Sequence, residues 1–201
     1  EGMDQFKNLK AIQSLGAGVN QLDMSKLPPG VAIARLVDEV LSKAMAEFCV
    51  LTALRYHRAL DVHERNARTK KWEYIIPRPA EQRTVGVMGI GVLGGAAARL
   101  LKSVGFKVCG WSRGPKKIDG VECFHGPDGL YRMASKCSIM IGLLPLTPET
   151  QGIINKKLFD AMPQSSYIVN LGRGGHLNEA DLLPAIESGK LAGATLDVFN
   201  T

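Results

Sequence analysis

The stretch Gly89-Ile90-Gly91-Val92-Leu93-Gly94 constrains this chain more than any other part of it. Three glycines at that spacing are weak evidence alone. Here an apolar strand-like run, Thr84–Met88, precedes them and a helical run, Val92–Val104, follows. A strand that turns on glycine into a helix is the setting in which the motif has a mechanism. Gly89 permits the tight turn, Gly91 lets the backbone approach a pyrophosphate, and Gly94 lets the helix pack close to the strand. The helix start then offers N–H groups and a partial positive charge to phosphate oxygens. A glycine-rich turn that binds nothing is the alternative.

The segments after this turn repeat its rhythm. Strand-like runs Phe106–Trp111, Ser138–Leu144, Tyr167–Leu171 and Ala192–Leu196 alternate with helical runs near Leu130–Ala134, Lys156–Ala161 and Glu179–Ser188. Nearly continuous apolar strands separated by amphipathic helices mean βαβ units and a parallel sheet buried on both faces. The predicted fold class is therefore α/β, a Rossmann-type doubly wound parallel sheet. Upstream, Leu9–Leu15 and Val31–Ala34 read as short strands around a Pro28-Pro29-Gly30 turn. Between them and the Pro77/Pro79 linker, residues from about Asp38 to Thr69 carry a helical pattern without internal Gly or Pro. One helix of that length suggests an element crossing between domains or subunits.

Cofactor choice is read at the end of the second strand, about 20 residues past the glycines. An Asp or Glu there would hold ribose hydroxyls and repel a 2′-phosphate. This chain instead has Ser112 and Arg113, with Lys116 and Lys117 close behind. A hydroxyl and a guanidinium can hold a phosphate through charge-assisted hydrogen bonds, so NADP(H) is preferred and NAD(H) remains open. Exposed turn residues without a ligand are the alternative for Arg113 and the lysines.

Composition narrows the field further. With 201 residues, 45% hydrophobic and 22% charged, the chain has the balance of a globular protein. No apolar run approaches the roughly 20 residues of a membrane helix, so no membrane partner is expected. The net charge of +6 is spread out and lacks interleaved aromatics, which argues against nucleic acid. Four cysteines and four histidines show no ligand spacing, so no metal is expected, and reduced thiols point to the cytoplasm.

Three further segments are specific. They are Leu143-Leu144-Pro145-Leu146-Thr147-Pro148-Glu149-Thr150, then Asn170-Leu171-Gly172-Arg173-Gly174-Gly175, then Gly189–Phe199 with its Ala194-Thr195-Leu196-Asp197-Val198-Phe199 end. In this order, with the glycine turn, the chain resembles the D-isomer-specific 2-hydroxyacid dehydrogenases across essentially its whole length. Leu15-Gly16-Ala17-Gly18-Val19 and Trp111-Ser112-Arg113 make it most similar to the A-type glyoxylate/hydroxypyruvate reductases within that family.

The resemblance implies two Rossmann-like domains with the active site between them. Residues 1–34 would be the remnant of a split, flavodoxin-like substrate domain. Residues 35–201 would be the NAD(P)-binding domain, opening with the long crossing helix and truncated at its C-terminal end. It further implies that Gly16, Ala17 and Gly18 offer backbone N–H groups to the substrate carboxylate. Arg173 would be the catalytic arginine, holding a small 2-oxo acid and polarising its carbonyl. Val92 and Leu93 would face the pyrophosphate, Leu144, Pro145 and Thr150 the adenosine side, Leu171 and Gly172 the nicotinamide ribose, and Asp197 the nicotinamide. For Asp197 a strand-end cap is the alternative.

The same resemblance places an acid–base Glu and His beyond Thr201, so residues 1–201 are expected to be inactive alone. His176 matches no catalytic position of the family and reads as structural or as a surface residue. The expectation is an NADPH-dependent reductase of a small 2-oxo acid acting as a homodimer through the long helix. A non-catalytic dinucleotide-sensing module or an inactive remnant is the alternative.

Overall fold

The computed structural model describes residues 6, 8–16, 18–19, 22–36 and 38–200. The chain divides into two units, Glu1–Leu41 and Ser42–Thr201. In the first, β1 (Ala11–Ser14) and β2 (Ala32–Arg35) pair in parallel, with Ile12 opposite Ile33. Gly30, at φ +82°, makes the turn that leads into β2. That left-handed backbone is one glycine adopts without steric cost.

The second unit is built on six parallel strands. They are β3 (Thr84–Met88), β4 (Lys107–Ser112), β5 (Glu122–His125), β6 (Ile139–Gly142), β7 (Ser166–Asn170) and β8 (Leu191–Leu196). Their order across the sheet is β5-β4-β3-β6-β7-β8. Successive strands run outward from β3 to β5, then restart beside β3 and run the other way. The reversal falls between β3 and β6, where the carboxyl ends of the strands open a crevice for a ligand. The α/β fold expected from the alternation of strands and helices is the fold observed.

Both sheet faces are apolar because alternate residues of one strand bury on opposite sides. Val85, Val87, Ile139, Ile141 and Val169 form a core with Ala46, Cys49 and Ala53 of α1 (Glu39–His57) and Ala97, Ala98 and Leu101 of α3 (Val92–Ser103). Their neighbours Met88, Met140 and Ile168 point the other way. There they meet Met133 of α4 (Gly126–Ala134), Phe159 of α5 (Lys156–Ala161) and Ala185 of α6 (Glu179–Glu187). Cys109 and Cys137 lie in this second core as free thiols.

Two elements differ from the sequence expectation. The uninterrupted helix over 38–69 is in fact two, α1 and α2 (Leu60–Arg68), joined at Ala59 with φ +53°. No glycine or proline marks the bend; long-range contacts make it. Tyr56 stacks on Tyr167 with ring centroids 4.0 Å apart. Arg83 Nη1 donates to the Tyr56 carbonyl at 3.4 Å, and Arg55 closes the corner with a bidentate pair to Glu64. The second difference is β5, an edge strand of sequence Glu-Cys-Phe-His that pairs only with β4 and carries too little apolar pattern to announce itself. Among the described residues no helix is long and apolar enough to cross a membrane.

Candidate dinucleotide and substrate site

The parallel sheet sends the turns after β3, β4, β6, β7 and β8 to the same edge, and the residues singled out from the sequence of this unit sit on those turns. After β3 the chain reverses at Gly89, whose φ is +97°. A Cβ there would stand 2.7 Å from the Leu143 carbonyl oxygen. The Gly89 N–H donates to the Trp111 carbonyl at 2.8 Å, tying the turn to the end of β4. Gly94 presses α3 onto the turn so closely that a Cβ would fall 2.1 Å from the Gly89 carbonyl oxygen. Gly91, by contrast, would place a Cβ within 4 Å of no atom. It precedes α3 as N-cap with no side-chain hydrogen bond, and Val92 is exposed beside it. An α-helix leaves its first N–H groups without intrahelical partners, so those of Val92, Leu93 and Gly94 follow directly on the open position at Gly91. This is a cradle whose floor is backbone and whose opening a side chain would fill. It fits a pyrophosphate.

At the end of β4, Ser112 is buried and its hydroxyl donates to the Gly114 carbonyl at 2.8 Å. Arg113 beside it is exposed. Its charge adds to the Thr147 hydroxyl, the main influence, in holding the exposed Glu149 carboxyl below the usual range. Lys116 reaches back to the glycine turn, its Nζ donating to the Ile90 carbonyl at 3.2 Å. The sequence offered it only as one of several basic residues after the strand; the bond to Ile90 depends on β4 lying beside β3.

After β6 the chain runs through buried Leu144 and exposed Pro145. Thr150 staples this loop, donating to the Pro145 carbonyl at 2.7 Å and accepting the Thr147 N–H at 2.8 Å. Its hydroxyl is thus engaged within the loop, where Leu144 is packed into the second core and Pro145 is exposed.

After β7 come buried Leu171 and Gly172, then half-buried Arg173. The guanidinium Nη1 donates to the Gly172 carbonyl at 2.7 Å. Asn170, wholly buried at the end of β7, governs the turn from within. Its Nδ2 donates to the Arg173 carbonyl at 2.9 Å and its Oδ1 accepts the Gly172 N–H at 3.3 Å. Asp197 follows β8 with an exposed side chain, and its N–H donates to the Asn170 carbonyl at 3.1 Å. The chain after it crosses Gly174, where a Cβ would lie 2.0 Å from the Phe199 carbonyl carbon. His176 is buried, 1% exposed, and Nδ1 accepts the Arg173 N–H at 3.1 Å. Burial first, then the Arg173 charge, holds this imidazole below the usual histidine range.

The loop Gly16–Gly18 belongs to the first unit. Ser14 organises it, its Oγ accepting the Gly16 N–H at 3.3 Å and lying 3.1 Å from the carbonyls of Gly16 and Gly18. The Gly16 N–H is therefore directed into its own loop. Ala17 lies outside the described residues.

Known proteins resemble this chain in sequence and in fold. The family model described as D-isomer specific 2-hydroxyacid dehydrogenase, NAD binding domain, matches residues 50–201. The glyoxylate/hydroxypyruvate reductase A of Yersinia enterocolitica is 43% identical over 197 residues, spanning 95% of this chain and 63% of that protein. A D-isomer specific 2-hydroxyacid dehydrogenase from Xanthobacter autotrophicus, solved with NADPH and MES, superposes with a TM-score of 0.94 at 43% identity. That match covers 98% of this chain and 63% of the other. An NADPH-dependent glyoxylate/hydroxypyruvate reductase from Sinorhizobium meliloti, solved with NADP and sulfate, gives a TM-score of 0.92 at 40% identity, over 98% of this chain and 65% of the other. The chain thus spans less than two thirds of the length of these relatives.

Proposed function

Because the chain belongs to the D-isomer-specific 2-hydroxyacid dehydrogenase family, we propose that it forms the dinucleotide-holding part of an NADPH-dependent reductase of small 2-oxo acids. The substrate class is that of glyoxylate and hydroxypyruvate, and the product is the 2-hydroxy acid. The observation that carries this reading is the placement of the Gly89–Gly94 cradle and Arg173 on one edge of one parallel sheet, after β3 and β7.

The amides of Val92, Leu93 and Gly94 hold the pyrophosphate, where the helix dipole favours negative charge. Ser112 and Arg113 hold the 2′-phosphate, the hydroxyl turning from the Gly114 carbonyl to the phosphate oxygen. Leu144, Pro145, Leu171 and Gly172 wall the nucleoside and exclude water, and Asp197 lies at the nicotinamide end. When bound, the reduced nicotinamide supplies a hydride to the substrate carbonyl carbon. Arg173 pairs with the substrate carboxylate and draws charge towards the carbonyl oxygen, stabilising the negative charge that grows there. The oxygen takes its proton from an acid that the family resemblance assigns to a histidine outside residues 1–201.

The reading extends to a cytoplasmic homodimer. Exposed apolar side chains on α1, Val40 at 75% and Leu51 at 60%, support the dimer, and free, largely buried thiols support the reducing compartment. The test is NADPH oxidation by the full-length protein with glyoxylate and with hydroxypyruvate, beside titrations of NADPH and NADH into the parent and Arg113→Ala. Turnover with either acid is expected, with NADPH bound tighter than NADH and the difference largely lost in Arg113→Ala. Equal affinities in the parent would sink the NADP assignment. Tight NADPH binding without turnover of any small 2-oxo acid would favour a sensing module over a reductase.

A further inference from the structure

Resting on the reading of Arg173 as the substrate-binding arginine, we infer that His176 is a positioning residue. Its imidazole sets the backbone of the Gly172–Arg173 turn and through it the direction of the guanidinium. The chain leaves β7, passes Arg173 and enters a single 3-10 turn, Gly174–His176, which folds the imidazole back beneath the turn it has just made. Three bonds then fix the two peptides flanking Arg173. Nδ1 of His176 accepts the Arg173 N–H at 3.1 Å, while the Arg173 carbonyl accepts the His176 N–H at 3.1 Å and Asn170 Nδ2 at 2.9 Å.

The ring also wedges two loops apart. A Cβ on Gly172 would lie 2.8 Å from both Cε1 and Nδ1 of the imidazole, and 3.0 Å from the Leu144 carbonyl oxygen. The absence of a side chain at Gly172 is therefore what admits the ring. Nε2 is buried with no hydrogen-bond partner among the described residues, although the Pro145 carbonyl favours a proton on the ring. The loop presenting Leu144 and Pro145 and the loop presenting Arg173 thus meet on this one side chain. His176 also ties in the segment just before α5, its carbonyl accepting the Ile154 N–H at 2.8 Å.

The hydrogen bond dictates the tautomer. Because Nδ1 accepts an N–H, the proton of the neutral ring must sit on Nε2. Protonation of Nδ1 would turn an acceptor into a donor facing a donor. Arg173 is the charged group that acts on the ring, and the 144–145 loop presents backbone carbonyls to it. An apolar side chain of similar bulk would fill the space but leave the Arg173 N–H unpaired. Asparagine places an amide oxygen near the position of Nδ1 and can restore the acceptor.

The experiment compares parent, His176→Leu, His176→Asn and Arg173→Lys in the full-length protein. It reads thermal unfolding, NADPH affinity, and kcat and KM for glyoxylate. Losing the bond that aims a charge-assisted contact worth about 1.5–3 kcal/mol predicts a KM raised roughly tenfold or more in His176→Leu. NADPH affinity should move less than about threefold, and His176→Asn should recover most of the loss. Imidazole 15N shifts at neutral pH should show the Nε2–H tautomer. Parent-like KM in a folded His176→Leu, no recovery in His176→Asn, the Nδ1–H tautomer, or NADPH affinity falling as far as substrate affinity would each overturn the inference. Arg173→Lys separates the two claims. If it leaves KM and kcat unchanged, the arginine reading itself fails. If it is impaired while His176→Leu is not, only the role of His176 falls.

Discussion

Replacing Gly91 by alanine should abolish tight dinucleotide binding while leaving the fold intact. The structure puts no atom within 4 Å of the added Cβ, so the methyl group meets no clash within the protein. Stability should then change by no more than the roughly ±0.5 kcal/mol of a surface substitution. Binding is another matter. An N–H···O bond from the start of α3 brings a phosphate oxygen to about 2.9 Å of the backbone nitrogen. A methyl group in that approach holds the oxygen off by several tenths of an ångström and breaks or bends one or two charge-assisted bonds. At about 1.5–3 kcal/mol each, and about 1.4 kcal/mol per factor of ten, the Kd for NADPH should rise about tenfold for one weakened bond and up to about ten-thousandfold for two lost outright. Calorimetric titration with NADPH and a melt of the ligand-free protein measure the two effects separately. A Gly91→Ala protein that melts and binds like the parent would show that the phosphates do not lie over this turn.

Gly94→Ala should behave differently, because its Cβ meets the Gly89 carbonyl oxygen at 2.1 Å and the backbone must separate. It should lose about 1–3 kcal/mol of stability by overpacking, or several degrees of Tm, together with cofactor affinity; a parent-like melt would contradict the close approach. Acidification tests the imidazoles of buried His176 and half-buried His57. His57 and His176 are both held below 6.5, by burial first and then by neighbouring arginines. The unfolded chain therefore binds protons before the folded one, and their contribution to stability is full above 6.5 and lost as the pH falls through the lower folded values. Melts from pH 8 to pH 5 should fall below 6.5, with a shallower fall in His176→Asn; a flat or rising profile would refute the assignment.

Much of the second unit was legible in the residue order. Thr84–Met88 followed by Gly89, Gly91 and Gly94 specifies strand, turn and helix, because φ +97° at Gly89 and the 2.1 Å approach at Gly94 are tolerated by glycine alone. Apolar runs such as Ile139–Gly142 and Ser166–Asn170 announce strands buried on both faces, since alternation along each strand feeds two cores. The sequence also put Ser112, Arg113 and Arg173 at strand ends, where a parallel sheet presents ligand-binding groups, although the role of Arg173 came from the family resemblance.

Other features depend on residues that meet only after folding. The bend at Ala59 follows from Tyr56 stacking on Tyr167 and from Arg83 taking the Tyr56 carbonyl, contacts between parts of the chain far apart in sequence. β5 forms because β4 offers an edge, not because its own four residues favour a strand. Lys116 reaches the Ile90 carbonyl only because β4 lies beside β3. The turn around Arg173 is the sharpest case. Its motif fixes which residue is the arginine, whereas Asn170 and His176 decide how its backbone is held. Local pattern sets periodicity and turn geometry, which neighbours along the chain determine. The destination of a buried polar group depends on which strands and loops pack around it, and only the tertiary structure decides that.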